Sequence, residues 1–247
     1  NAGSGHIGTS FSSIDVITWL HLNILSKNDI LFSSKGHDVP AFYSLLTVLG
    51  DLDFNLLHEF RKYNGLPGHP DVKIDGFFTN TGSLGMGISK AKGFLKAFDL
   101  KNDNKSRVYT VLGDGELQEG QNWESLINVK YVGTDRLFLI IDNNKVQSDK
   151  LTSETSDLGD LKLKFESFNC NVIECDGNSF EELNQVFSQG YNKKVNVIIC
   201  NTVKGSGVDF MEHTKIKNSE FYKYHSGAPN KENYLKSLNI LKDKIYL

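Results

Sequence analysis

The chain has 247 residues, 39% of them hydrophobic and 23% charged, with a formal net charge of −3. This composition excludes disorder and suits one large α/β domain with a full core, or two small domains. The basic residues are scattered rather than striped, which argues against nucleic acid as a partner, and no apolar run approaches the roughly 18–20 residues of a membrane span.

Cys170, Cys175 and Cys200 are odd in number and include no C-x-x-C pair. With Cys200 inside the apolar run VNVIIC, they read as thiols of a reducing, cytoplasmic setting. The first residue is Asn, and the segment after it is neither a signal nor a transit peptide, so the chain is expected to be a fragment or to lack its first residues.

Residues 1–10, NAGSGHIGTS, form a glycine-rich loop containing His6. Ser12 or Ser13 is expected to cap a helix running through Ile14, Ile17, Trp19 and Leu20. Asp29 to Ser33 reads as a short strand, Ser34-Lys35-Gly36-His37 as a loop, and Ala41 to Leu49 as a helix that Gly50 stops. Residues 54–63, FNLLHEFRKY, read as an amphipathic helix that includes His58. Two prolines and two glycines make GLPGHPD, 65–71, an ordered turn. Thr81 to Gly87 is a glycine-dense helix start, and Ile88, Ala91, Phe94 or Leu95, and Phe98 continue it at helical spacing.

The stretch from Arg107 to Ser148 organises the rest. Val108 to Leu112 reads as a buried strand ending at Gly113. Trp123, Leu126, Ile127 and Val129 mark a helix whose apolar face continues through Tyr131 and Val132 to Gly133. Leu137 to Ile141 is a second buried strand, ending in Asp142-Asn143-Asn144. Strand, helix, strand makes a βαβ unit, so the two strands are expected to be parallel. Residues 149–160 read as a polar loop, Leu161 to Phe168 as a helix and Val172 to Glu174 as a strand. Phe180, Leu183, Val186 and Phe187 mark a further helix, Val195 to Thr202 a strand, and residues 231–245 a terminal helix. The alternation predicts one α/β domain over 1–247, with a parallel sheet covered by helices on both faces.

In such a sheet, ligands bind at the carboxyl ends of the strands. Asp114 follows one strand and Asn144, thirty residues later, follows the next. If the strands are neighbours, a carboxylate and an amide oxygen meet at one edge, with the Val146 carbonyl just beyond. Three protein oxygens, with room for phosphate oxygens and water, describe a Mg²⁺ or Ca²⁺ site that holds a diphosphate. Gly113 and Gly115 flank Asp114 and allow close approach of the backbone.

GDGELQEGQ followed by DNNKVQSD resembles the thiamin diphosphate motif, and its wording is similar to transketolase. SGH-x-G at the start, SKGH, PGHP, TG-x-LG-x-G and the VKG-x-G-V-x-FME…H segment occur in family order over nearly the whole chain. The resemblance implies the thiamin diphosphate-binding (PP-type) fold. It also implies a reaction in which a two-carbon ketol unit passes from a ketose, free or phosphorylated, to an aldose. The cofactor carries the hard chemistry while protein groups orient it and shuttle protons. On the family pattern His6, His69 and His225 act on the substrate, and His37 and His225 reach the diphosphate. Gly82 and Leu84 line the heterocycle, and Glu119 sits at the subunit interface by the cofactor. HSGAP departs from the expected HG-x-AP and leaves the register of His225 less fixed. Without the resemblance, His6 reads as an exposed turn residue, SKGH as a capping loop, PGHP as a rigid turn and the glycine-rich start as close helix packing.

The family's essential glutamate belongs to a pyrimidine-binding domain that this sequence lacks. The resemblance therefore implies a separate C-terminal partner chain in a two-plus-two assembly, as in split transketolases, or a piece of a longer chain. Other readings are a different thiamin enzyme, such as a 1-deoxyxylulose-phosphate synthase or a dehydrogenase subunit, and a non-catalytic regulatory half. A nucleotide-binding Rossmann domain ranks low, since no G-x-G-x-x-G follows the first strand.

Overall fold

The architecture is that of a computed structural model, which describes residues 1–53, 55, 59–129, 134–189, 191, 193–215 and 220–245. Seven strands occur among them: β1 (Ile30–Ser33), β2 (Val108–Gly113), β3 (Leu137–Asn143), β4 (Val146–Gln147), β5 (Lys150–Leu151), β6 (Asn171–Asp176) and β7 (Asn196–Asn201). Five form one sheet in the order β1-β2-β3-β7-β6, and all four pairings are parallel. β4 and β5 make a separate antiparallel hairpin.

The sheet is parallel because β2, β3 and β7 are apolar on both faces and need cover on both. Val108, Leu112, Leu137, Leu139, Ile141, Val197 and Ile199 pack to one side. There they meet the helices α3 (Gly87–Leu100), α4 (Gly120–Ile127) and α5 (Leu161–Ser167) through Ile88, Ala91, Leu95, Leu126 and Phe165. Tyr109, Val111, Phe138, Ile140, Ile198 and Cys200 point the other way. That side is covered by α1 (Ile7–Trp19), α2 (Val39–Leu49) and α6 (Phe180–Ser188) through Val16, Ile17, Ala41, Phe42, Leu45, Leu183 and Val186. A last helix, α7 (Lys231–Ile245), follows. The thiol of Cys200 is buried, as its apolar run implies. Among the described residues no helix is long and apolar enough to cross a membrane.

Most expected elements form, with shifted ends. The cap expected at Ser12 or Ser13 does not: α1 begins at Ile7, with His6 as its N-cap, and continues into a π-helical turn at Leu20–Ile24. Both serines lie buried in the helix interior because carboxylates from other segments satisfy them, Asp142 for Ser12 and Asp38 for Ser13. The stretch 149–160 is not all loop, since it contains β5 and a one-turn helix, Thr152–Thr155. Gly50 stops α2 in the left-handed conformation, φ 80°, which glycine adopts without strain. Of the helix expected over 54–63, residues 54 and 56–58, His58 included, lie outside the described residues, as do Tyr131, Val132 and Gly133.

Leu139 is fully buried in the middle of the central strand. Leu139→Ala should lower the unfolding free energy by about 2–5 kcal/mol through a cavity that the flanking strands cannot close. The midpoint of urea denaturation checks it.

Candidate cofactor site

Four loops leave the carboxyl ends of β1, β2, β3 and β7 and converge with the N-terminus of α1 on a cavity of about 260 Å³. Asp114, Asn144 and Val146 line it together, so the carboxylate and the amide do share one edge. The register explains this: β2 and β3 are neighbours, and Gly113 lies opposite Asp142. Asp114 Oδ1 accepts the Gly115 N–H at 2.7 Å and Oδ2 the Lys145 N–H at 2.5 Å. Burial, and then the charge of Asp142, push its carboxyl up to about 6. Asn144 Nδ2 donates to Ser12 Oγ at 3.0 Å and Asp142 Oδ2 at 3.3 Å, while Oδ1 accepts the Val146 N–H at 3.1 Å. The Asp142 carboxylate thus decides which end of the amide is oxygen.

The Val146 carbonyl accepts Lys204 Nζ at 2.9 Å, and the same ammonium bonds the Ser148 carbonyl at 2.9 Å. Burial lowers the Lys204 ammonium to about 8 against the pull of Asp114 and Asp142. Lys35 is also buried and bonds Asp142, with Asp38 3.5 Å away. Burial alone would lower the Lys35 ammonium, but those two carboxylates hold it well above its ordinary value. Asp142 further accepts from Ser12 and Thr202 and stays below the usual carboxylate range despite burial.

Three histidine rings cluster in the lining of the same cavity. The centroid of His6 lies 5.1 Å from that of His37 and 5.0 Å from that of His225. His6 Nδ1 donates to the His225 carbonyl and His37 Nδ1 to the Lys35 carbonyl, each at 3.0 Å, which leaves both Nε2 atoms as lone-pair acceptors. Burial, reinforced by the charge of Lys35 on one and Lys204 on the other, lowers His37 and His225 to about 3. His6 and His69 shift the same way, again chiefly by burial. All four imidazoles are therefore neutral near pH 7.

Leu84, Gly113, Gly115 and His69 also line the cavity. Gly82 and Glu119 do not. Gly82, at φ +125°, lies behind His69, where a Cβ would stand 2.8 Å from the ring. Glu119 is the exposed N-cap of α4 and packs against Gly85, whose added Cβ would stand 2.7 Å from its own. Lys35, Asp142, Lys204 and Glu116 are site residues that motif reading passed over. Their signal was a charged side chain two or three residues past the end of an apolar strand, or, for Asp142, within one.

The donor set suits a divalent cation with a diphosphate. Carboxylate, amide and carbonyl oxygens are hard ligands, and no cluster of three or more His, Cys, Asp or Glu among the described residues could hold a metal unaided. The remaining ligands would have to come from phosphate and water. His225 Nδ1 is buried with no hydrogen-bond partner among the described residues, as expected of a group that awaits a ligand.

The family model described as "Transketolase, thiamine diphosphate binding domain" matches residues 1–236. The chain is 32% identical over 252 residues to an apulose-4-phosphate transketolase subunit of Actinobacillus succinogenes, covering 97% of this chain and 88% of that one. It is 34% identical over 223 residues to the 6-deoxy-6-sulfo-D-fructose transketolase subunit SqwG of Clostridium sp., covering 85% and 81%. Among solved structures, the transketolase of Campylobacter jejuni superposes with a TM-score of 0.79 at 26% identity over 98% of this chain. That of Leishmania mexicana gives 0.81 at 24% identity, a likeness of fold, over 98% of this chain. The chain spans 40% and 38% of the length of these two.

Asp142→Ala should cost about 3–5 kcal/mol in a urea titration, because it leaves Lys35 buried and short of its main counter-charge. A second expectation concerns acid. The unfolded chain protonates His37 below 6.5 whereas the folded chain resists until about 3, so its burial destabilises the fold as pH falls through that window. Asp114, raised to about 6, takes up its proton in the folded state first and opposes the trend. The measurable quantity is thus a difference: between about pH 7 and about pH 5, His37→Gln should lose less stability than the wild type.

Proposed function

The chain belongs to the transketolase thiamine diphosphate binding domain family, and from that premise we propose that it is the diphosphate- and metal-binding subunit of a split transketolase. It would transfer a two-carbon ketol unit from a ketose or ketose phosphate to an aldose. The support is one observation above all: Asp114 and Asn144, at adjacent strand tips, line one cavity together with a cluster of neutral imidazoles. The single α/β unit of residues 1–247 would then be the diphosphate-binding domain, working in the cytoplasm.

Charge argues for the cation. Of the two lysines that line the cavity, Lys35 is already neutralised by the buried Asp142 and Asp38, which leaves Lys204 alone against the lining carboxylates of Asp114 and Glu116. A diphosphate alone would meet a net negative wall, and Mg²⁺ or Ca²⁺ between the two reverses the sign. Asp114 and the Asn144 amide oxygen would hold it, with the second lone pair of the Val146 carbonyl. Gly113, Gly115 and His37 would face the diphosphate, and Gly82 and Leu84 the heterocycle. When bound, thiamin diphosphate supplies the electron sink for breaking and remaking a carbon–carbon bond. His6, His69 and His225 would bind and orient the sugar's hydroxyls and pass protons. A neutral imidazole has one N–H and one lone pair for that task.

The relatives named as subunits support a separate partner chain carrying the pyrimidine-binding domain, in a two-plus-two assembly, with Glu119 facing that partner. Their names, one with apulose-4-phosphate and one with 6-deoxy-6-sulfo-D-fructose, support a dedicated route for a particular ketose.

Calorimetric titration with thiamin diphosphate and Mg²⁺ tests the site. Asp114→Ala should weaken binding by more than about 100-fold, beyond what the loss of a group behind the ligands costs. The chain alone should show no ketol transfer, and addition of the partner should restore it. Full activity of the isolated chain would refute the split arrangement.

A further inference from the structure

Glu116 lines the cavity, and three protein donors engage its carboxylate. It is 3% exposed. Its Oε1 accepts the Ser34 hydroxyl and the Gly85 N–H, the latter at 2.9 Å, and its Oε2 accepts the Gly113 N–H at 3.1 Å. The two N–H groups can only donate, so the ionised, acceptor-only form fits. Burial pushes the carboxyl up, while these three bonds and the charge of Lys35 oppose it. The residue is itself anchored, since its carbonyl accepts Nδ2 of the fully buried Asn122 at 2.7 Å.

The three donors come from three different segments. Ser34 follows β1, Gly113 ends β2 beside Asp114, and Gly85 belongs to the loop that enters α3. That loop carries Gly82 and Leu84. Gly85 sits at φ +84° and Gly87 packs on the Ser34 side chain, so the glycines let the loop lie flat on this carboxylate. Leu84 is 39% exposed, and burial does not hold it. The tie to Glu116 does so through the neighbouring N–H.

We propose that Glu116 is a positioning residue that fixes the Gly82–Met86 loop against the Gly113–Asp114 turn. In this way it sets the distance between the wall facing the cofactor's heterocycle and the wall facing its diphosphate. The inference rests on the reading of the cavity as a thiamin diphosphate site. Glu116 itself touches neither cation nor phosphate. Its loss acts on the relation between two walls, and a ligand spanning both feels it more than a ligand that uses one.

The test uses the chain assembled with its partner and two probes, each with saturating Mg²⁺: thiamin diphosphate, and inorganic pyrophosphate, which lacks the ring. Glu116→Gln keeps the size but turns one acceptor into a donor that meets an N–H. It should weaken thiamin diphosphate by about tenfold or more and pyrophosphate by less than about threefold. The apparent KM for the cofactor should rise while kcat recovers at saturating cofactor. Ser34→Ala, which removes a single donor, should shift the same way by less and covers the case in which Glu116→Gln fails to fold. Equal loss of both probes, or no loss of either, would overturn the inference. Failure of the wild-type assembly to bind thiamin diphosphate would overturn the reading of the site and this inference with it.

Discussion

The site end of the molecule depends on one carboxylate that has no access to water. Asp142 accepts from Ser12 of α1, Lys35 after β1, Asn144 after β3 and Thr202 after β7. A buried charge is costly unless paired and fully hydrogen-bonded. Here the pairing is with an equally buried ammonium, and each partner's charge holds the other in its ionised form. Four segments far apart in sequence must all be in place before that charge is satisfied. The loops after β1, β3 and β7 that border the cavity are therefore set by folding itself, which leaves less for a ligand to order.

The same low-polarity setting decides the state of the histidines. Any one of them in water would titrate near pH 6.5. Packed together beside Lys35 and Lys204, they lose the charged form. In the sugar-handling role proposed for them, their value would be that they stay neutral while presenting both a donor and an acceptor. Asp114 and Glu116 shift in the opposite direction, whereas Asp142 is held low by Lys35; Asp114, with only N–H bonds and Lys204 to relieve it, keeps an elevated affinity for a proton.

Much of this was legible in the sequence, because the chemistry sits directly after strands. Alternating apolar runs located all five strands of the main sheet, and the spacing of Asp114 and Asn144 brought them to one edge. The histidine loops were legible only through the family resemblance, since a lone histidine in a glycine-rich turn carries little signal by itself. The misplaced cap shows a limit of local rules. Ser12 and Ser13 look like helix starters, yet they serve as interior donors for Asp142 and Asp38, partners 130 and 25 residues away. Lys204 escaped notice because its carbonyl partners, Val146 and Ser148, lie on another loop. Glu119 sat inside a motif that marks it, but its side chain is exposed, makes no capping bond and does not line the cavity.

The position of the site follows from strand periodicity carried one step too far. Phe138 and Ile140 face the α1 layer, and the next residue of that parity is Asp142; Ile198 and Cys200 do the same, and the next is Thr202. Beyond the strand ends the series reaches Asn144 and Lys204. On both strands the side chains facing α1 change from apolar to polar near the carboxyl end, one step earlier on β3, where Asp142 lies opposite Cys200, and this leaves a polar layer where the hydrophobic core stops. α1 meets that change in kind: Val16 and Ile17 pack where the strands are apolar, and Ser12 donates where they turn polar. The cavity is thus the place at which the alternating pattern of two strands, and the helix face packed on them, run out of hydrocarbon and leave their charges to satisfy one another and a ligand.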